Sequence, residues 1–406
     1  MPTYFYIAKS LKGEEKSGTI EAKSKLQLAQ TLKSQGFILI SADLEKEEAV
    51  RKKLEFSLPF LSGVSLTEKL MFTRNLQVMV AAGLSLPKAL TTLAEQTKSQ
   101  RFKKTLLEIS EEITKGRNFS DCLEKYPNIF SELFQNMIKV AEEAGNLDEV
   151  LKILSRQMER ENELRAKIKG ALMYPAVIIT AMIGIGVLML IMVVPQLAET
   201  FEELEIELPA TTKLVIGIGT FLAEKWFFAF LILIGFFIIF AFILKTKKGK
   251  RAVDTILLKI PIISQLVKKT NSAYTVRTLS SLIAAGVPIV KSLKIVSGTL
   301  GNIHYKEAIS QAAEKVGKGS KLFEAIRPYR NIYPVIVIQM IQVGEETGET
   351  SQILTKLADF FEEEVGNATK NLASVIEPVL MLIIGAVIGF FAVSMVQPMY
   401  SMLGAI

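Results

Sequence analysis

The stretch KIKGALMYPAVIITAMIGIGVLMLIMVVP, residues 167–195, decides the fold of this chain. It opens with basic residues, passes through Tyr174 and Pro175, and then carries no charge from residue 176 to residue 194. At about 1.5 Å of rise per residue, the uncharged run is a helix roughly 28 Å long, close to the thickness of the hydrocarbon core of a bilayer. The stretch therefore predicts a membrane span over residues 174–196.

Two further apolar runs have the same length and character. WFFAFLILIGFFIIFAFIL occupies residues 226–244, and VLMLIIGAVIGFFAVSMVQ lies within a third predicted span over residues 378–398. Half of the 406 residues are hydrophobic, and these runs are where they follow one another without a charge. The sequence therefore predicts a mainly α-helical membrane protein with three transmembrane helices.

The charges beside the spans predict the orientation. RAKIKG precedes the first span and KTKKGKR follows the second, whereas the segment between these spans is rich in glutamate. Because Lys and Arg accumulate on the cytoplasmic side, residues 197–225 are expected to form an outward-facing loop. The N-terminus and the soluble parts beyond the basic segments are expected in the cytoplasm.

An internal duplication explains the odd number of spans. Residues 72–203 match residues 275–406 without a gap, so that VAEEAG at residue 140 recurs as VGEETG at residue 343. Each copy predicts a cytoplasmic bundle of about six helices, over residues 64–170 and 245–376, followed by an outward span. The middle span returns the chain between the copies, which makes this a parallel repeat.

A small α+β domain with a linker is predicted over residues 1–60, before the duplication. YFYIAKS, SGTIEAK and FILISADL alternate as strands do, and KLQLAQTLKSQ is typical of a short helix that ends at Gly36. A charged segment, EKEEAVRKK, follows as the linker.

Glycines recur at the ends of predicted helices in both copies. Gly145 and Gly348 each follow a helical pattern immediately, and the same holds for the pairs Gly83 with Gly286 and Gly116 with Gly319. These positions predict residues in the left-handed conformation that commonly ends a helix.

Two acidic doublets are the candidate functional residues. They are Glu142 with Glu143 and Glu345 with Glu346. Carboxylates in the last turn of a helix face the negative end of its dipole, so an offsetting interaction is expected. Three are considered: ion pairs within the bundle to Arg74 and Arg277, contact with a basic surface of a partner, and a divalent cation, for which two glutamates supply few ligands.

Glu377 and Pro378 stand at the start of the third span, where the first span has Tyr174 and Pro175. A carboxylate is tolerated there if a helix begins nearby, because the positive end of the dipole favours it. Contact with the charged N-terminus of a membrane-embedded partner is the alternative.

Composition excludes several classes of site. A single Cys122 and a single His304 exclude Cys/His metal sites and disulfides within one chain. GKGS at residue 317 lacks the spacing of a phosphate-binding loop, and much of the net charge of +7 flanks the spans. We therefore expect no catalytic residues, no cofactor, no metal and no nucleic-acid partner.

KGRNFSDCLEKYPNIFSELFQNMIKVAEEAGNLDEVL, its second-copy partner and the stretch around the first span resemble the PilC/GspF family, the inner-membrane platform proteins of type IV pilus assembly and type II secretion. The resemblance covers essentially the whole chain. Met173 departs from the family, in which a Thr commonly precedes the Tyr-Pro pair.

The resemblance implies a non-enzymatic protein of the bacterial inner membrane. Its partners would be a cytoplasmic hexameric motor ATPase, pilin or pseudopilin subunits, other inner-membrane assembly proteins and further copies of itself. A small transporter or a membrane-tethered signalling protein is the alternative class. Uncharged spans argue against an ion pathway, and no signalling module is visible.

Overall fold

The structure, a computed structural model, describes residues 3–10, 15–22, 25–34, 36–44, 63–203 and 209–403. The chain divides into two compact units, one before Val64 and one from Val64 onward.

The N-terminal unit is a three-stranded antiparallel sheet with one helix. Its elements are β1 (Thr3–Ser10), β2 (Glu15–Glu21), α1 (Lys25–Ser34) and β3 (Phe37–Leu44), with strand order β2-β1-β3. Leu28 and Leu32 of α1 are fully buried together with Ala8 of the sheet. The α+β prediction is confirmed, and the linker predicted after it lies outside the described residues.

The first repeat has six helices, as predicted. They are α2 (Leu66–Ala81), α3 (Leu86–Gln96), α4 (Gln100–Thr114), α5 (Phe119–Glu124), α6 (Glu132–Ala144) and the start of α7 (Leu147–Leu188). Ser65 caps α2 by accepting a hydrogen bond from the Glu68 backbone N–H at 3.1 Å. The apolar stripe of α7, with Val150, Leu151 and Leu154 fully buried or nearly so, holds it against the bundle.

The first span continues from α7 without a break in helical structure. A π-helical turn (Met189–Val193) follows α7, and then come α8 (Val194–Glu203), α9 (Ala210–Glu224) and α10 (Trp226–Lys245). The predicted loop over residues 197–225 is thus wrong in its conformation, because most of this segment is helical. The Thr212 hydroxyl of α9 donates to the Ser394 carbonyl at 2.6 Å.

The second repeat contains the equivalents of the first six helices and one additional helix before them. Its elements are α11 (Lys247–Lys259), α12 (Pro261–Ala284), α13 (Ile289–Thr299), α14 (Ile303–Gly317), α15 (Leu322–Ile326), α16 (Val335–Thr347) and α17 (Thr350–Leu403). The additional helix is α11, which connects the middle span to the bundle.

Three segments of the described chain are long and apolar enough to cross a membrane: Leu147–Thr200, Trp226–Lys245 and Thr350–Ser394. They contain the predicted spans over residues 174–196 and 226–244 and most of the one over residues 378–398. In the first and third cases the span is the continuation of the last bundle helix, so each repeat is joined to the membrane by one unbroken helical path.

The soluble parts of both repeats share one apolar core. It extends from Phe72 and Leu76 of α2 to Phe361 and Val365 of α17. The two bundles are therefore packed against each other as one body, which brings α7 of the first repeat beside α12 and α17 of the second.

Candidate functional site

The first glutamate of each doublet caps a short helix. Both carboxylate oxygens of Glu142 accept backbone hydrogen bonds at the start of α5, from Phe119 at 2.6 Å and from Ser120 at 2.8 Å. These N–H groups have no partner within their own helix, and the positive end of its dipole favours the carboxylate. The cost of a negative charge at the end of α6 is thus offset at the start of α5.

The second repeat builds the same arrangement. Glu345 accepts from the backbone N–H groups of Leu322 at 2.7 Å and Phe323 at 2.9 Å, at the start of α15. The second glutamates differ: Glu143 is exposed, and exposed Glu346 accepts from the Gln342 side chain at 2.8 Å.

The two glycines predicted to end these helices do so. Gly145 has φ +72° and follows α6, and Gly348 has φ +76° and follows α16. The pairs Gly83 with Gly286 and Gly116 with Gly319 have positive φ values as well. The chain therefore reverses direction two residues after each doublet. This reversal places the first carboxylate of the doublet beside the short helix that it caps.

The predicted ion pairs between the doublets and the two arginines are wrong. Arg277 pairs with α17, where its guanidinium donates to both carboxylate oxygens of Glu362, at 2.7 and 3.0 Å, and also to Asp359. Arg74, at the equivalent position of the first repeat, is exposed, and no ion pair joins either arginine to a doublet in the described part of the chain. Backbone N–H groups, rather than the arginines, are the partners of the first glutamate of each doublet.

The Arg277 cluster lies where the two repeats meet. The side chain of Arg277 is 12% exposed and that of Glu362 is 11% exposed. Burial disfavours the charged form of Arg277, but the hydrogen bonds to Glu362 and Asp359 outweigh it, so the pKa of Arg277 is raised above its ordinary value. Arg160 of α7 approaches Glu362 to 4.0 Å and lines the same cleft.

A buried amide completes the junction. Gln157 of α7 donates to the Thr278 hydroxyl at 3.3 Å and accepts from the Ser281 hydroxyl at 2.8 Å. All three side chains lie in the interface between α7 and α12, and Gln157 is only 3% exposed. Paired polar groups in a buried interface fix its register, because a shifted arrangement would leave them without partners.

Sequence reasoning missed this junction for a definite reason. The arginines and doublets were predicted as site residues because they recur at a constant offset. Asp359 and Gln157 do not recur, since the equivalent positions hold Arg156 and Phe360, respectively. The one available signal was a polar Gln157 beside the apolar stripe of α7.

The residues at the starts of the spans lie within continuous helices. Tyr174 is exposed and Pro175 is buried, both inside α7. Glu377 and Pro378 lie inside α17, which begins at Thr350. The expected help from a helix N-terminus at Glu377 is therefore wrong, because no helix begins there.

Comparison with known proteins agrees with this architecture. A family model described as "Type II secretion system (T2SS), protein F" matches residues 72–195 and again residues 275–398. The N-terminal domain model of the same protein matches residues 1–43. The two long matches reproduce the duplication, and the short one covers the α+β unit.

Relatives match over nearly the whole chain. The type IV pilus assembly protein PilC of Thermus thermophilus is 33% identical over 100% of this chain and 99% of its own length. PilC of Pseudomonas aeruginosa is 35% identical over 90% of this chain and 99% of its own. The type II secretion system protein F of Aeromonas hydrophila is 30% identical over 93% and 97%, respectively. With its doubled domain and three apolar helices, the chain belongs to the type II secretion system protein F family, which includes the PilC proteins of type IV pilus assembly.

Proposed function

We propose that this protein is the inner-membrane platform of a type IV pilus or type II secretion machine. It couples a cytoplasmic hexameric motor ATPase to the assembly of pilin or pseudopilin subunits and has no reaction of its own. Other inner-membrane assembly proteins and further copies of the chain complete the machine. The names of the relatives support the assembly role, and the basic segments beside the spans support a cytoplasmic position for the N-terminus and both bundles.

The observation that carries the coupling proposal is the continuity of α7 and α17 with their spans. Helix α7 extends for 42 residues from the bundle into the first apolar run, and α17 extends for 54 residues through the third. Neither contains a loop between bundle and span. A rotation or tilt of the bundles by a motor would therefore be transmitted into the membrane through hydrogen-bonded backbone.

The junction of the two repeats makes the two helices move together. Gln157 ties α7 to α12, and the bidentate pair of Arg277 with Glu362 ties α12 to α17. A force on one bundle is thereby shared by both outward spans, because the bundles have one core. We propose that this is how motor motion reaches the subunits in the membrane.

The test compares flexible and stiff versions of one exposed segment of α7. The flexible variant carries Ala166→Gly, Lys167→Gly and Lys169→Gly beside the native Gly170. The stiff variant carries Lys167→Ala, Lys169→Ala and Gly170→Ala. Both variants have the same length and the same charge. Positions 166, 167, 169 and 170 are Gly in the flexible variant and Ala in the stiff one, which makes the flexible helix less stable by about 4 kcal/mol.

We expect both variants to reach the membrane and to bind the motor and the pilin or pseudopilin in pull-downs. The stiff variant should assemble pili or pseudopili in normal numbers, and the flexible variant should assemble few or none. Normal fibre numbers with the flexible variant would overturn rigid coupling. Loss of fibres with both variants would point to the lysine charges instead.

A further inference from the structure

The two repeats contact each other through different faces. The first repeat uses α7, where Gln157 is buried, and the second uses α12, where Thr278 and Ser281 form hydrogen bonds with that amide. One side of α17 in the second repeat also packs against α7, where Glu362 lies 4.0 Å from Arg160. Next to them, Val140 of α6 packs near Gly286, which precedes α13. An interface that joins unlike faces of two similar modules is heterologous, and it leaves one face of each module without its counterpart.

The constant offset of 203 residues between the copies, 277 minus 74, identifies the two unused faces. We name them the open α2 face, on the first repeat, and the open α17 face, on the second. The open α2 face comprises Met71, Arg74, Val78 and Leu84. The open α17 face comprises Val335, Val343, Phe360 and Glu363.

Burial differs sharply between each used position of the second repeat and its unused equivalent. Ser281 is 8% exposed, whereas Val78 is 59% exposed. Val287 is 3% exposed, whereas Leu84 is 39% exposed. The α2 positions are thus exposed where their equivalents in the second repeat are covered by the other module.

The other unused face shows the same contrast. Gln157 is 3% exposed and its equivalent Phe360 is 45% exposed, while half-buried Val140 corresponds to Val343 at 43%. Val335 on the same face is 57% exposed. Clustered apolar side chains outside the membrane spans mark a surface that is covered in the assembled state.

The chemistry of the two open faces is mutually complementary. Gln157 and Ser281 form a polar contact, and their equivalents on the open faces, Phe360 and Val78, are both apolar. Arg160 and Arg277 line one cleft within the chain, and their equivalents are Glu363 and Arg74, which have opposite charges. Each face therefore matches the other and not itself, since two copies of the open α17 face would bring acidic side chains together.

We propose that the open α17 face of one chain binds the open α2 face of a second copy, repeating head to tail the interface that joins the two repeats within a chain. Phe360 then packs on Val78, and Glu363 pairs with Arg74. Because all copies keep their spans along the membrane normal, the axis relating them lies along that normal. The inference rests on the proposed platform function in one respect, which is that copies of the chain assemble with one another.

The experiment cross-links two distinguishable copies in native membranes. One copy carries Val78→Cys and one epitope tag, the other carries Phe360→Cys and a second tag, and both carry Cys122→Ala. Mild oxidation should give a disulfide-linked pair that contains both tags. A matched control replaces Val78→Cys with Leu107→Cys on α4, where the native side chain is 40% exposed, and should give no such pair.

Charge reversal provides the second measurement. Arg74→Glu in the first copy should lower the cross-linked fraction about fivefold, as expected for losing one exposed ion pair, and Glu363→Arg in the second copy should restore it. Cross-linking no stronger than the Leu107→Cys control, or pairs of two Val78→Cys copies in place of mixed pairs, would overturn the proposal. The readout is independent of fibre assembly, so a failed motor coupling would leave it unchanged.

Discussion

The Tyr333 hydroxyl lies 2.9 Å from the Thr275 hydroxyl in the core of the second repeat, at the positions where the first repeat has Phe130 and Phe72. The ring of Phe130 is 6.0 Å from that of Phe72. The same two positions therefore hold a pair of aromatic rings in the first repeat and a hydrogen-bonded Tyr and Thr in the second. The two repeats therefore differ in chemistry at equivalent positions of their shared core.

This difference predicts unequal effects of exchanging Phe and Tyr. Tyr333→Phe should lower the free energy of unfolding by about 1 kcal/mol, because the Thr275 hydroxyl still donates to the Asn271 carbonyl. Phe130→Tyr should cost about 1–3 kcal/mol, since its hydroxyl would be buried among rings without a partner. Chemical denaturation of the detergent-solubilised chain measures both, and a milder effect of Phe130→Tyr would contradict the prediction.

The helix caps predict a division of labour within each doublet. Glu142→Gln should lower the free energy of unfolding by about 1.5–3 kcal/mol, because two charge-assisted hydrogen bonds to α5 are weakened. Glu143→Gln is the matched control and should change it by less than about 0.5 kcal/mol. Thermal unfolding of the two variants tests this, and equal destabilisation would show that the cap is not what Glu142 contributes.

The arginines predict an asymmetry between the copies. Arg277→Met should destabilise the chain by about 3–5 kcal/mol, because Glu362 is left buried without the cation that forms both of its hydrogen bonds to a guanidinium. Arg74→Met, at the equivalent exposed position, should leave the stability of a single chain within about 0.5 kcal/mol of the original. Denaturant titrations at low protein concentration compare them, and similar losses would contradict the exposed state of Arg74.

The charge distribution predicts the topology. Single cysteines at Lys104, Lys321 and Glu199, each with Cys122→Ala, can be treated with a membrane-impermeant thiol reagent in cells whose outer barrier is permeabilised. We expect labelling at position 199 in such cells, and labelling at positions 104 and 321 only after the inner membrane is opened. The opposite pattern would reverse the proposed orientation.

The sequence predicted those features that depend on composition and period. The uncharged run after Pro175 predicted a span, and the fixed offset between Gly145 and Gly348 predicted two equivalent bundles. Helix α9 was not predicted because Lys213 and small residues interrupt its apolar residues, so that the segment lacks the continuous apolar run of a span.

The contacts of the site were less accessible from sequence. The partners of Glu142 lie 22 and 23 residues earlier in the chain and are backbone groups, which have no residue signature. Arg277 pairs with residues 82 and 85 positions later, which only the packed fold brings near. The interface between the repeats is asymmetric, whereas a repeat alignment indicates only what the copies share.

The length of α17 has a mechanical consequence. At about 1.5 Å per residue, its 54 residues form a rod about 81 Å long. A tilt of about 5° at one end would move the other end by about 7 Å, more than the 5.4 Å pitch of one helical turn. In the proposed coupling, the helix would act as a lever, on which a small angular step at the motor end becomes a displacement of molecular size at the other end.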